Sequence, residues 1–96
     1  MDREAWLRSN IQAIAEDTFP DDTGLDWKIL GVEARGALTA TTVEPSRNNG
    51  YPRYVFLIDF GKPDPECVGT YVPQDSAYAL LCSAPGSSPP KTWPPQ

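Results

Sequence analysis

The sequence predicts an α+β domain: one N-terminal helix packed on a curved antiparallel meander of four to five strands, followed by a Pro-rich C-terminal tail. Three observations carry that expectation. Only residues 2–18 have helical periodicity. From Leu25 to Ser83 the chain alternates β-branched or aromatic runs with short turn signals. The run Tyr54-Val55-Phe56-Leu57-Ile58 is apolar at every position, so this strand needs cover on both faces.

Leu7, Ile11, Ile14 and Thr18 recur at the spacing of one helix face, with Ala15 widening the stripe and Trp6 at its edge. Arg3, Glu4, Arg8, Gln12 and Glu16 lie largely off it. Asp2 is placed to cap the first turn, and Phe19-Pro20 ends the helix because the residue before proline is pushed out of the α region. Asp21, Asp22 and Asp26 follow closely on Glu16 and Asp17. Their spacing does not fit a calcium-binding EF-hand loop, so they are expected to form a solvated connection rather than a metal site.

Strands are expected at Leu25–Ala34 and Ala37–Glu44 around an Arg35-Gly36 turn, and at Tyr51–Phe60 after Asn49-Gly50. Two more, Cys67–Val72 and Ala77–Ser83, flank Pro73-Gln74-Asp75-Ser76, where a type I turn is expected. Residues 1–83 thus make one domain. Residues 84–96 carry five prolines and a single tryptophan, and form an extended tail, mobile or with Trp93 tucked against the domain. The order of elements resembles cystatin-like and related one-helix curved-sheet folds, as a layout only.

Pairing from turn centres sorts the sheet into two faces. Leu30, Val32, Val43, Tyr54, Phe56, Ile58 and Phe60 fall on the first, the seat for the helix. Trp27, Ile29, Leu38, Val55 and Leu57 fall on the second, among Glu33, Glu44 and Asp59. The second face is too apolar for plain solvent face and too acidic for plain core. In the last hairpin the same procedure sets Cys67 opposite Cys82.

Several chemistries are excluded at this level. Without a single histidine, Ser-His, Cys-His and His-metal arrangements are impossible, and no phosphate-binding glycine motif occurs. Thirteen acidic against eight scattered basic residues, a net charge of −5, disfavour nucleic acid. No stretch is long and apolar enough for a bilayer, and the first residues lack the apolar segment of a secretion signal, so the expected compartment is the cytoplasm.

The favoured reading is a non-enzymatic binding or assembly module, without cofactor or metal. Its working surface is the second face (Trp27, Ile29, Glu33, Leu38, Glu44, Val55, Leu57, Asp59), there to meet a second copy, another protein or a small ligand. One alternative is a carboxylate-based enzyme or ligand-binding cone using Glu33, Glu44 and Asp59. The other is a thiol switch at Cys67 and Cys82.

Overall fold

The computed structural model describes residues 2–95, so Met1 and Gln96 at the two ends lie outside the description. Its single helix, α1 (Arg3–Thr18), begins where the Asp2 carboxylate accepts the Ala5 N–H at 3.3 Å. It stops at Phe19, whose N–H donates to the Ala15 carbonyl at 2.9 Å, because Pro20 cannot follow a helical residue. Leu7, Ile11 and Ala15 are its buried stripe, flanked by Trp6 and Ile14. No helix among the described residues is long and apolar enough to cross a membrane.

Six strands form one open sheet in sequence order: β1 (Trp27–Arg35), β2 (Leu38–Pro45), β3 (Tyr54–Asp59), β4 (Glu66–Gln74), β5 (Ala77–Ser83) and β6 (Thr92–Trp93). Every neighbour is antiparallel. The α+β class and the N-terminal helix are as expected, with one strand more, contributed by the tail.

The β2–β3 register sets Val43 against Tyr54, Thr41 against Phe56 and Thr39 against Ile58. This differs by two residues from the pairing drawn through Asn49-Gly50, and a shift of two leaves both faces intact. The connection is not a tight hairpin. Asn48 Oδ1 accepts the Gly50 N–H at 2.8 Å, and Asn49 is held between the Tyr54 hydroxyl at 2.6 Å and the Asp22 carboxylate at 2.8 Å. Asp22 of the acidic loop therefore serves as an anchor for that connection.

Trp27 and Ile29 depart from the expected sorting. The β1–β2 turn is Gly36-Ala37, with Gly36 at φ 61°, and Val32 and Glu33 keep their expected faces. A β-bulge then inserts Leu30 between Ile29 and Gly31, and one extra residue reverses the parity of everything before it. Trp27 and Ile29 accordingly sit on the helix side rather than the second face, while Leu30 points out, 46% exposed. Trp27 stacks on Phe19 at a centroid distance of 5.7 Å and 8° between planes, beside Tyr54 and Phe56.

The last hairpin also slips. Its turn is Asp75-Ser76, with Asp75 at φ 55°, and a bulge between Thr70 and Tyr71 sets Thr70 against Cys82. Cys67 lies opposite Ile58 on β3, so the two cysteines are not a cross-strand pair.

β3 ends up enclosed on both sides, with Tyr54 through Ile58 all 2% exposed or less. Leu7, Ile11, Ala15, Leu25, Trp27 and Val43 cover Tyr54, Phe56 and Ile58 from the helix side. On the other side Val55 and Leu57 pack with Ala40, Val68, Tyr71 and Trp93. The second cover is the C-terminal tail. Trp93 is 5% exposed, β6 pairs with β5, and the Leu80 N–H donates to the Lys91 carbonyl at 2.9 Å. Gly69 makes room for it: a Cβ there would lie 3.2 Å from both Pro89 Cγ and Leu80 Cδ1.

Candidate functional site

The tail does not cover the whole second face. It lies against β4 at Pro89 and Pro90, pairs alongside β5 through β6, and seats Trp93 beside Tyr71, with ring centroids 6.4 Å apart. The β1–β2 half stays open. There a groove of about 360 Å³ runs between the sheet and the tail, with Ala40, Thr42 and Val55 as its floor. Glu33 and the Gly31-Val32 backbone form one wall, and Tyr78, Trp93 and Pro94 the other.

Alternation along β2 and β3 explains the floor: Ala40, Thr42, Val55 and Leu57 point to the same face because each is two residues from the next on its strand. The small Ala40 and Thr42 side chains leave the space that a larger pair would fill. Charge is arranged around the rim. Arg35 places its guanidinium 5.3 Å from the Trp93 ring centroid, and its Nε donates to Glu33 Oε2 at 2.8 Å. Both members of this ion pair are about half exposed, so it orients the rim more than it stabilises the fold. Tyr78 is held from its other side by Arg53, whose Nε donates to the hydroxyl at 3.1 Å.

Of the residues expected on a binding face, Glu33 and Val55 line this groove, while Leu38 and Leu57 lie under the tail and line a separate recess with Asp59, Lys62 and Ser87. Glu44 is exposed opposite Lys28. Trp27 and Ile29 belong to the helix-side core, as described above. Ala40 and Thr42 are not among the expected site residues, although alternation along β2 puts them on this face; Tyr78 and Trp93 are further additions, and for Trp93 the signal is the lone tryptophan among the tail prolines.

The three carboxylates do not converge. Glu33 is in the groove and Glu44 on open strand, while Asp59 Oδ1 accepts the Gly61 N–H at 2.8 Å as a loop brace. A paired acid and base need a shared pocket, and these groups have none. Among the described residues no cluster of three or more His, Cys, Asp or Glu side chains is placed to share a metal ion.

The cysteines share a different groove, on the helix side, between the end of α1 (Ile14, Asp17, Thr18) and β4–β5. Cys67 is half-buried and its thiol lies 3.5 Å from the Gly69 carbonyl, whereas Cys82 is exposed. Burial pushes the Cys67 thiol up to about 11, so at neutral pH it is held as the unreactive thiol.

Tyr71 ties the tail to the sheet, its hydroxyl donating to the Pro90 carbonyl at 2.5 Å. Burial raises its pKa to about 12, and the nearby Cys67 adds to the shift. A group whose pKa is raised on folding contributes stability that is complete below its unfolded value and is lost as pH rises through the folded one. For Tyr71 that window runs from about 10, the unfolded value, to about 12. Deprotonation also removes the donor that holds Pro90. Alkaline titration is therefore expected to loosen the tail. Denaturant midpoints should fall across this window, and Tyr71→Phe should flatten the fall while costing about 1 kcal/mol near neutrality. An unchanged alkaline limb in Tyr71→Phe would mean that this hydroxyl is not what the base attacks.

The chain matches no known protein-family model, no curated protein and no solved structure, so what it does has to be argued from the groove, its rim and the edge beside it.

Proposed function

We propose that the chain is a non-enzymatic binding or assembly module whose working surface is the β1–β2 half of the second sheet face. One observation carries this reading. The tail covers much of the apolar surface that Val55 and Leu57 put on this face, yet among the described residues a groove stays open beside Trp93 and Pro94. A recess of about 360 Å³ falls within the size range of small-ligand pockets, and an aromatic or long aliphatic side chain of a protein partner suits its lining. The floor joins Ala40 and Val55 to the Thr42 side chain, and the tail-side wall is aromatic. Trp93 and Tyr78 offer flat contact area at low entropic cost, the quality that makes such residues recurrent anchors at interfaces.

The test uses side-chain probes rather than an unidentified partner. Titrating isotope-labelled protein with N-acetyl-tyrosinamide and N-acetyl-leucinamide is expected to give saturable NMR shifts at Ala40, Thr42, Val55 and the Trp93 indole. Small probes of this kind should bind with Kd on the order of 1 mM or weaker. Thr42→Arg, which fills the groove, should abolish the response. Shifts that never saturate, or that centre on the helix-side groove around Cys67 and Cys82, would contradict the assignment.

A further inference from the structure

From the free edge of β1 we infer the partner: a second copy of this chain pairs antiparallel along it, in the register that sets Lys28 against Glu33, Asp26 against Arg35, and Leu30 against Gly31. This rests on the reading of the β1–β2 half as a partner surface and names what meets it.

β1 is nine residues long and, among the described residues, pairs only with β2, so its outer N–H and C=O groups have no described strand beside them. Such an edge is a template for another strand. Nature blunts it with lysines and bulges, and β1 carries both, Lys28 and the bulge at Leu30. Those same two features make the edge complementary to itself.

In a regular strand residues 28 and 33, an odd number apart, would project from opposite faces and could never meet across an antiparallel pair. The bulge reverses the parity between them. Lys28 lies opposite Glu44 and Glu33 opposite Ala40, both on the second face. Ile29 and Val32 likewise both pack on the helix-side core. Pairing β1 with its own copy about a dyad between Leu30 and Gly31 therefore brings like faces together at every step: Ile29 with Val32, Lys28 with Glu33, Asp26 with Arg35.

The charges then form a ladder. Arg35 and Glu33 are already bonded within one chain at 2.8 Å. The partner's Asp26 would extend that pair on the arginine side and the partner's Lys28 on the glutamate side. By symmetry the ladder occurs twice. An edge lacking this pattern would offer Lys28 no carboxylate beyond Glu44 of its own chain, so the device favours self-pairing over indiscriminate strand addition.

Leu30 fits the same register. It is one of three exposed large apolar side chains among the described residues, with Tyr51 and Leu81, and the only one on β1. The residue it would face is Gly31, where a Cβ would have nothing within 4 Å. Gly31 and this chain's own Leu30 border a recess of about 190 Å³ between α1 and β1, floored by Ile29 and Val32 with Glu4 and Arg8 above, so the two Leu30 side chains would meet there. The partner's Leu30 would enter it. On the opposite face the partner's Lys28 would arrive beside Glu33, at the mouth of the tail-side groove, so the second copy completes a wall of that site.

Light scattering with sedimentation of the full chain tests this. The expected mass is twice 10.5 kDa at high concentration, falling toward 10.5 kDa on dilution. Lys28→Glu should weaken association at least ~10-fold, and adding Glu33→Lys should restore most of it, since the swap rebuilds both cross-dyad pairs. Leu30→Asp, at an exposed position where the monomer fold is not at stake, should also weaken it ~10-fold or more. Circular dichroism confirms that each variant stays folded. A monomer up to ~1 mM would overturn the inference, since two charge ladders and two buried leucines should give an association tighter than a Kd of roughly 1 mM. So would a dimer indifferent to Lys28→Glu and Leu30→Asp, or a charge swap that fails to rescue. A monomer whose groove still takes the side-chain probes would sink the second copy alone. A dimer with these responses whose groove takes no probe would sink the groove alone.

Discussion

Trp93→Ala is expected to destabilise the domain by about 3–5 kcal/mol, the usual cost of emptying a buried tryptophan site. Trp93 lies only two residues within the described C-terminal boundary, where substitutions are ordinarily silent. It is 5% exposed, packs with Val55, Leu57 and Tyr71, and receives the Arg35 guanidinium on its ring. Removing the indole uncovers Val55 and Leu57 and takes away the apolar reason for β6 to stay on β5. In a domain of this size the melting temperature should fall by roughly 12 °C or more. Trp93→Phe should recover over half of the loss, because most of the effect is apolar area rather than the indole N–H. A loss below about 1 kcal/mol, as for a surface residue, would mean that the tail is not the cover of this face.

Trp27→Ala should cost a similar amount, about 3–5 kcal/mol, by a different route. Its ring joins Phe19, Tyr54 and Phe56 in an aromatic cluster, and its backbone N–H donates to Gln12 Oε1 at 3.1 Å. Gln12 in turn donates to the Leu25 carbonyl at 2.8 Å, so the strand start and the helix are stitched together at this point. The substitution should speed amide exchange in α1 more than in β4 and β5. The pairing drawn from turn centres puts Trp27 on the opposite face. If that were its place, α1 would exchange unchanged and the tail side would loosen instead.

These two tryptophans mark what was legible in the chain and what was not. Helix α1 was readable in detail, cap to stop, because its signals are local: Asp2, the stripe at Leu7 and Ile11, then Pro20. The division of β3 into Tyr54, Phe56 and Ile58 on one side and Val55 and Leu57 on the other was also legible, since period-2 alternation survives a register error of two. Bulges were not. The only local trace of the insertion at Leu30 is the strand-interior Gly31 beside it, yet it moved Trp27 and Ile29 across the sheet, and another near Tyr71 separated Cys67 from direct opposition to Cys82. Where an extra residue is left unpaired depends on the register each strand takes against its neighbour, which is tertiary information.

The candidate site was half legible for a related reason. Glu33 and Val55 come from strands whose alternation could be followed. Tyr78 is placed by β5, and Trp93 reaches the groove only because the tail folds back; five prolines in thirteen residues argue for extension without saying where it goes. The shortage of covering material on the second face was a real constraint. The chain meets most of it with its own last residues, and what remains uncovered is the strip between Trp93 and the free edge of β1.

That strip as the partner surface is tested most directly by NMR spectra of the full chain recorded from ~10 µM to ~1 mM, the range over which a specific micromolar contact fills. The prediction is concentration-dependent shifts confined to residues 26–35, Glu4 and Arg8 above the Leu30 recess, Thr42 and the Trp93 indole, with the helix-side groove around Cys67 and Cys82 silent. Spectra that do not change across the range, or shifts centred on Tyr51, Leu81 or the cysteine groove, would contradict it.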